Sequence, residues 1–169
     1  MTDRHLTPAD FGSLYRRYAP DVERFALGLS GDRGLSEEIA SETFVRVWTA
    51  PAPVRLETVK AYLFTIARNF FLEEMARRRR HTPLHDSIPD PAEGPEENAR
   101  RRDELRAVLA GLQKLPEIDR AALLMRAEEG MPYEEIAAAL GLSLAAAKVR
   151  VHRARLKLAT LREPRETKP

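Results

Sequence analysis

An all-α protein built from two small helical domains is the architecture this sequence predicts, and three observations predict it. Apolar residues recur at helical steps, and no alternating run marks a strand. An abrupt change of composition at residues 81–99 separates two helical stretches. The second stretch holds a short helix, a tight turn and a longer helix, the order of a helix-turn-helix.

Taken from the start, Phe11, Leu14, Tyr15, Tyr18, Val22, Phe25 and Leu29 follow helical steps, with Pro20 expected to kink or interrupt the run. GDRG at 31–34 signals a turn, and Ser36 is the expected N-cap of a helix reaching Trp48. Ile39, Ala40, Phe44 and Val47 form its inward stripe. Two prolines make TAPAPVRLET, 49–58, a loop. A long helix is expected from about 59 to 80, with Leu63, Ile66, Ala67, Phe70 and Phe71 inward.

Residues 81–99, HTPLHDSIPDPAEGPEENA, keep no apolar period and are rich in Pro, Asp and Glu. That is the composition of a flexible linker, and structureless loops of this length are uncommon inside a compact domain. The expected division is therefore a first helical domain at 1–80, an acidic, Pro-rich linker at 81–99 and a second helical domain at 100–169. Joined in this way, the two domains should tumble semi-independently. Limited proteolysis should cut first within 81–99; first cleavage inside 59–80 or 132–158 would contradict the division.

Four helices are expected in the second half, at about 100–114, 117–129, 132–140 and 143–161. Pro116 and Pro132 suit helix starts, and Gly130 and Gly141 suit turns. In PYEEIAAALGLSLAAAKVRVHRARLKL, Ile136, Ala137 and Leu140 belong to a short scaffold helix. Gly141 makes the turn and Ser143 caps the second helix. Ala147, Val151, Ala154 and Leu158 form a narrow stripe facing the scaffold. The face away from it carries Lys148, Val149, Arg150, His152 and Arg153, with Arg155 and Lys157 beside them and no acid from 143 to 158. A helix of this kind can enter the major groove, where arginine pairs with guanine and lysine or arginine hold phosphates. A solvated charged face is the plainer alternative, but the scaffold, the turn and the absence of acids together favour DNA.

Charge is distributed in blocks. The formal net charge is only +2, yet basic residues gather at Arg77–Arg80 and at 148–157, while 86–97 holds five acids and no base. The chain has no cysteine, which excludes disulfides, thiolate metal sites and cysteine nucleophiles. No apolar signal segment opens it and no apolar run is long enough to span a membrane, so a cytoplasmic location is expected, without membrane insertion.

Enzymatic readings find little support. The pairs Glu37–Glu38, Glu73–Glu74, Glu128–Glu129 and Glu134–Glu135 are adjacent in sequence and do not share a helix face. His81 and His85 have ligand spacing but flank Pro83 in the linker, so no metal site is expected. No phosphate-binding glycine loop or nucleophile motif is present, and neither a catalytic residue nor a cofactor is expected.

Three long motifs resemble the extracytoplasmic-function (ECF) sigma factors, the smallest members of the sigma-70 family. LSEEIASETFVRVW resembles the region 2 helix that binds the clamp of core RNA polymerase. AYLFTIARNFFLEEMARRRR resembles the helix that engages the −10 promoter element, and the stretch from Leu115 to Leu158 resembles region 4, which reads the −35 element. The resemblance implies a sigma factor that directs core polymerase to promoter DNA, with an anti-sigma protein as a further candidate partner. It implies polymerase contacts at Glu38, Glu42, Val45 and Trp48. It implies −10 contacts at Asn69, Glu73, Arg77, Arg78, Arg79 and Arg80, an extruded base held by loop 49–58, and −35 contacts on the recognition helix. For Trp48, a place capping the domain core is an equal alternative. Members often have Gly-Thr followed by Val where this chain has Ala145, Ala146 and Ala147, so a hydroxyl able to meet phosphate is missing. The rival readings are a sigma mimic that sequesters an anti-sigma protein and an ordinary helix-turn-helix regulator. A mimic could dispense with the basic recognition helix, and a regulator should carry a ligand or receiver domain that 1–80 does not resemble.

Overall fold

The computed structural model describes residues 6–50, 59–81, 96–128 and 130–162. These form α1 (Pro8–Ser30), α2 (Arg33–Thr49), α3 (Val59–Arg80), α4 (Glu96–Gln113), α5 (Glu117–Ala127), α6 (Tyr133–Leu140) and α7 (Leu144–Arg162), with no strand among the described residues.

In the first half, α1, α2 and α3 pack on one another around Val22, Phe25, Leu29, Ile39, Leu63 and Phe64, all essentially inaccessible to water. Phe25 and Phe64 stack with ring centroids 4.5 Å apart. A capping box opens α1, in which Thr7 and Asp10 exchange side-chain and backbone bonds. The helix then runs unbroken through Pro20. Pro20 and Arg16 are both exposed, so the carbonyl that Pro20 leaves without a donor lies on the solvated side, where water can satisfy it.

Helix α2 starts earlier than Ser36. Asp32 is its N-cap, accepting the Leu35 amide at 3.0 Å, while Ser36 is buried and its hydroxyl donates to the Arg33 carbonyl. Gly31, in the left-handed region at φ 68°, closes α1, so two residues join one helix to the next. Helix α4 likewise begins at Glu96 rather than near residue 100. Residues 98–101 are exposed, and an unpacked turn carries no apolar period to read. The rest of the expected linker, 82–95, lies outside the described residues.

In the second half, Met125, Ile136, Val151, Ala147 and Ala154 form the centre where α5, α6 and α7 meet. Gly141, at φ 65°, ends α6, and the Ser143 hydroxyl accepts the Ala146 amide at 3.1 Å to start α7. Ala147, Val151 and Ala154 of the expected seam are buried, Leu158 is only partly buried near Gly111 of α4, and α7 packs more extensively on α5 than on α6.

The two halves are packed against each other in this structure. The last turn of α1 has no basic residue of its own, and its carbonyls need partners. Those partners come from the other half. Arg120, 7% exposed, donates to the Leu29 carbonyl and to Gln113 Oε1, and Gln113 donates to the carbonyls of Gly28 and Leu29 at 3.3 Å. Burial pulls the Arg120 guanidinium below its ordinary pKa, with Glu117 opposing. Arg68 on α3 grips both carboxylate oxygens of Glu117 at 2.6 and 2.8 Å. Between these bonds Gly28 lies against Leu124, and a Cβ added at Gly28 would stand 2.6 Å from a Leu124 methyl. Gly28→Val should therefore loosen this seam at a cost of about 1–3 kcal/mol. Thermal melting with small-angle scattering should show a lower midpoint and a larger radius of gyration; unchanged values would contradict the packing.

Candidate nucleic-acid interface

The expected site residues fall on three surfaces. On the first, the outer face of α2, Glu38 is exposed, Val45 is 54% exposed and Trp48 is 48% exposed. Trp48 combines both expected placements, about half exposed and half packed. Its ring meets Phe11 edge-on at 5.0 Å, and Tyr15, also exposed, meets Phe44 at 4.9 Å. The apolar surface therefore extends from α2 onto α1. Sequence reasoning placed Tyr15 in the α1 core stripe, although its place directly after the buried Leu14 was a signal that it points elsewhere.

Arg46 is a residue the sequence reading missed. Its Nε lies 3.2 Å from Glu42 Oε1, its two terminal nitrogens reach the Glu73 carboxylate at 2.7 and 3.3 Å, and its guanidinium lies 5.1 Å from the Phe70 ring centroid. It thus ties two expected site acids, one on α2 and one on α3. The hydrogen bond from Arg46 holds the Glu73 carboxyl below its ordinary range, and Glu73 in turn raises Arg46. The shared cation joins the first surface to the second.

On that second surface, along α3, Asn69 and the four arginines of the last turn, Arg77–Arg80, are exposed. Arg77 donates to both oxygens of the largely buried Glu74 at 3.2 and 2.7 Å, which raises its pKa. Glu74 needs that partner because a buried carboxylate without one is costly. Glu73 faces Arg46 rather than standing free. Most of the expected base-holding loop, 51–58, lies outside the described residues.

The third surface is the outward face of α7. Lys148, Val149, His152 and Arg153 are exposed, as are Arg155 and Lys157. Lys148 Nζ lies 5.9 Å from the Tyr133 ring centroid, with Arg126 at 4.4 Å from the same ring, so cations gather where α5, α6 and α7 meet. Arg150 is placed differently from the expectation. Its guanidinium does not point outward: Nη1 donates to Asp119 Oδ1 on α5 at 2.8 Å, and its side chain is 33% exposed. Helical geometry accounts for this. At about 100° per residue, Arg150 stands only about 70° from the centre of the Ala147–Val151–Ala154 seam, whereas Val149 lies nearly opposite it. No group of three metal-ligating side chains occurs among the described residues.

Comparison with known proteins matches residues 14–81 to sigma-70 region 2 and residues 105–158 to sigma-70 region 4. The chain is 37% identical over 152 residues to the ECF RNA polymerase sigma factor SigE of Mycolicibacterium smegmatis, covering 86% of this chain and 58% of that one. To EcfG of Rhodopseudomonas palustris, also an ECF RNA polymerase sigma factor, it is 32% identical over 143 residues, 84% of this chain and 79% of that one. The chain thus spans little more than half the length of the first relative and most of the second. Among solved structures, it resembles the sigma factor RpoE in complex with the anti-sigma factor NepR from Bartonella quintana, with TM-score 0.68, 26% identity and coverage of 90% and 96%. It resembles CnrH in complex with the cytosolic domain of CnrY to a similar degree, with TM-score 0.67, 28% identity and coverage of 92% and 88%.

Proposed function

The chain belongs to the extracytoplasmic-function sigma factors of the sigma-70 family, and from that premise we propose that it binds core RNA polymerase and directs it to promoters carrying −10 and −35 elements. The observation that carries this reading is the capped, acid-free recognition helix, docked on a scaffold helix with an exposed basic face. Its role is to bind and position, with no chemical step of its own. Core polymerase meets the Val45–Trp48 surface, where exposed apolar side chains next to Glu38 and Glu42 suit a partner surface that is apolar and basic. Asn69 and Arg77–Arg80 lie along the −10 region, the arginines on backbone phosphates, whose contacts set position rather than sequence. The −35 element lies against Lys148, Val149, His152 and Arg153, and Val149 offers an apolar contact for a thymine methyl.

In this reading 1–80 and 100–169 act as two binding domains, with residues 96–99 joining the second as the start of α4. No described helix is long and apolar enough to cross a membrane, and the cytoplasm, where core polymerase works, is the corresponding location. An anti-sigma protein is a further partner, supported by the solved relative held by NepR.

The chain's lack of cysteine makes a direct test simple. A DNA-cleaving reagent attached at Leu156→Cys or at Arg79→Cys, in protein assembled with core polymerase on a promoter fragment, should cut at two separate positions. Position 156 should cut upstream and position 79 downstream, near the start site. Coincident cuts, or none above background, would reject the arrangement.

A further inference from the structure

We propose that Asp119 is a positioning residue of the recognition helix, which holds Arg150 off the DNA and so decides which cations of α7 reach it. This rests on the reading of α7 as the DNA-binding helix. Asp119 sits in the first turn of α5, only 6% exposed, and accepts from Arg150 at 2.8 Å. A carboxylate at that depth needs a cationic partner, because leaving it charged and unpaired is costly. Arg150 supplies that partner from the flank of α7, midway between the buried seam and the outward face. The pair has two consequences. It fixes the rotation of α7 on α5, so that Lys148, Val149, His152 and Arg153 are the side chains presented. It also occupies a cation that would otherwise add a phosphate contact indifferent to sequence. Asp119 thus occupies the cation a DNA phosphate would otherwise engage, and the helix gains selectivity by giving up a charge.

The test uses the full chain and a labelled duplex of mixed sequence, with affinity measured across a salt series. Each phosphate neutralised adds about 0.9 to the slope of log affinity against log salt. Asp119→Asn should steepen the slope by about that amount, because Arg150 is released to the backbone. The double variant Asp119→Asn with Arg150→Gln, which leaves no buried charge unpaired, should return to the wild-type slope. If Arg150 already contacts phosphate in the wild type, the double variant will instead fall about 0.9 below it and Asp119→Asn will change little. That outcome overturns the proposal. A purely structural role for Asp119 would lower the melting midpoint and the affinity of Asp119→Asn with the slope unmoved, which also overturns it. Failure of the underlying reading is distinguishable, since Lys148→Ala with Arg153→Ala would then leave both the affinity and the salt slope unchanged.

Discussion

Protein carrying Val45→Arg and Trp48→Ala is expected to lose its hold on core polymerase while keeping its fold. Val45 and Trp48 are each about half exposed on α2, and neither belongs to the buried core of the first half, although Trp48 packs its ring on Phe11. Exposed aromatic anchors of this kind commonly contribute about 2 kcal/mol or more to an interface, which is roughly 30-fold in affinity. The arginine would add an unpaired charge at the centre of the contact, costly once desolvated. Affinity for core, measured by fluorescence anisotropy, should fall at least about 30-fold, and promoter-dependent initiation should fall with it at limiting protein. Losing the Trp48–Phe11 ring contact should cost the fold about 0.5–1.5 kcal/mol beyond the apolar area that Trp48 buries, so thermal melting and circular dichroism should show a lowered midpoint in protein that is still folded. A folded double variant that binds core at wild-type affinity would remove α2 from the polymerase interface.

Substitutions on α7 should divide into two kinds. Arg153 is exposed on the outward face of the helix, one turn from Val149. Arg153→Ala should cost about 1–3 kcal/mol at one base position, roughly 5- to 150-fold in initiation, and relax the preference there. Lys157→Ala, on the flank, should weaken all sequences alike and lower the salt slope by about one unit. The measurement is initiation from a panel of −35 variants at several salt concentrations. Unchanged promoter preference with Arg153→Ala, together with an unchanged salt slope with Lys157→Ala, would reject α7 as the −35 reader.

What the sequence made legible follows from what each pattern records. Apolar period records burial, so the long helices and the α7 seam of Ala147, Val151 and Ala154 could be read directly. Capping depends on which of two suitable side chains reaches an amide, and composition does not distinguish Asp32 from Ser36. The course of α1 past Pro20 depends on which side of the helix meets water. Pairings distant in sequence leave no local mark at all. Arg46 with Glu73, Arg68 with Glu117 and Arg150 with Asp119 each join charges that look free when read in order. The same holds for Arg120 and Gln113, whose part in completing the end of α1 packs the two halves together. The surfaces bearing the site could be read because exposed arginines and a tryptophan stand out. Which of those side chains remain available to a partner is decided by tertiary contacts.

Run-off transcription with purified core polymerase on a pool of genomic fragments, with and without this protein, tests the assignment as a sigma factor most directly. The structure and the family together predict discrete transcripts that appear only when the protein is added. Their start sites should share two upstream elements at a fixed spacing. Core polymerase that responds to another sigma factor, yet yields no transcript dependent on this chain from any fragment, would contradict it.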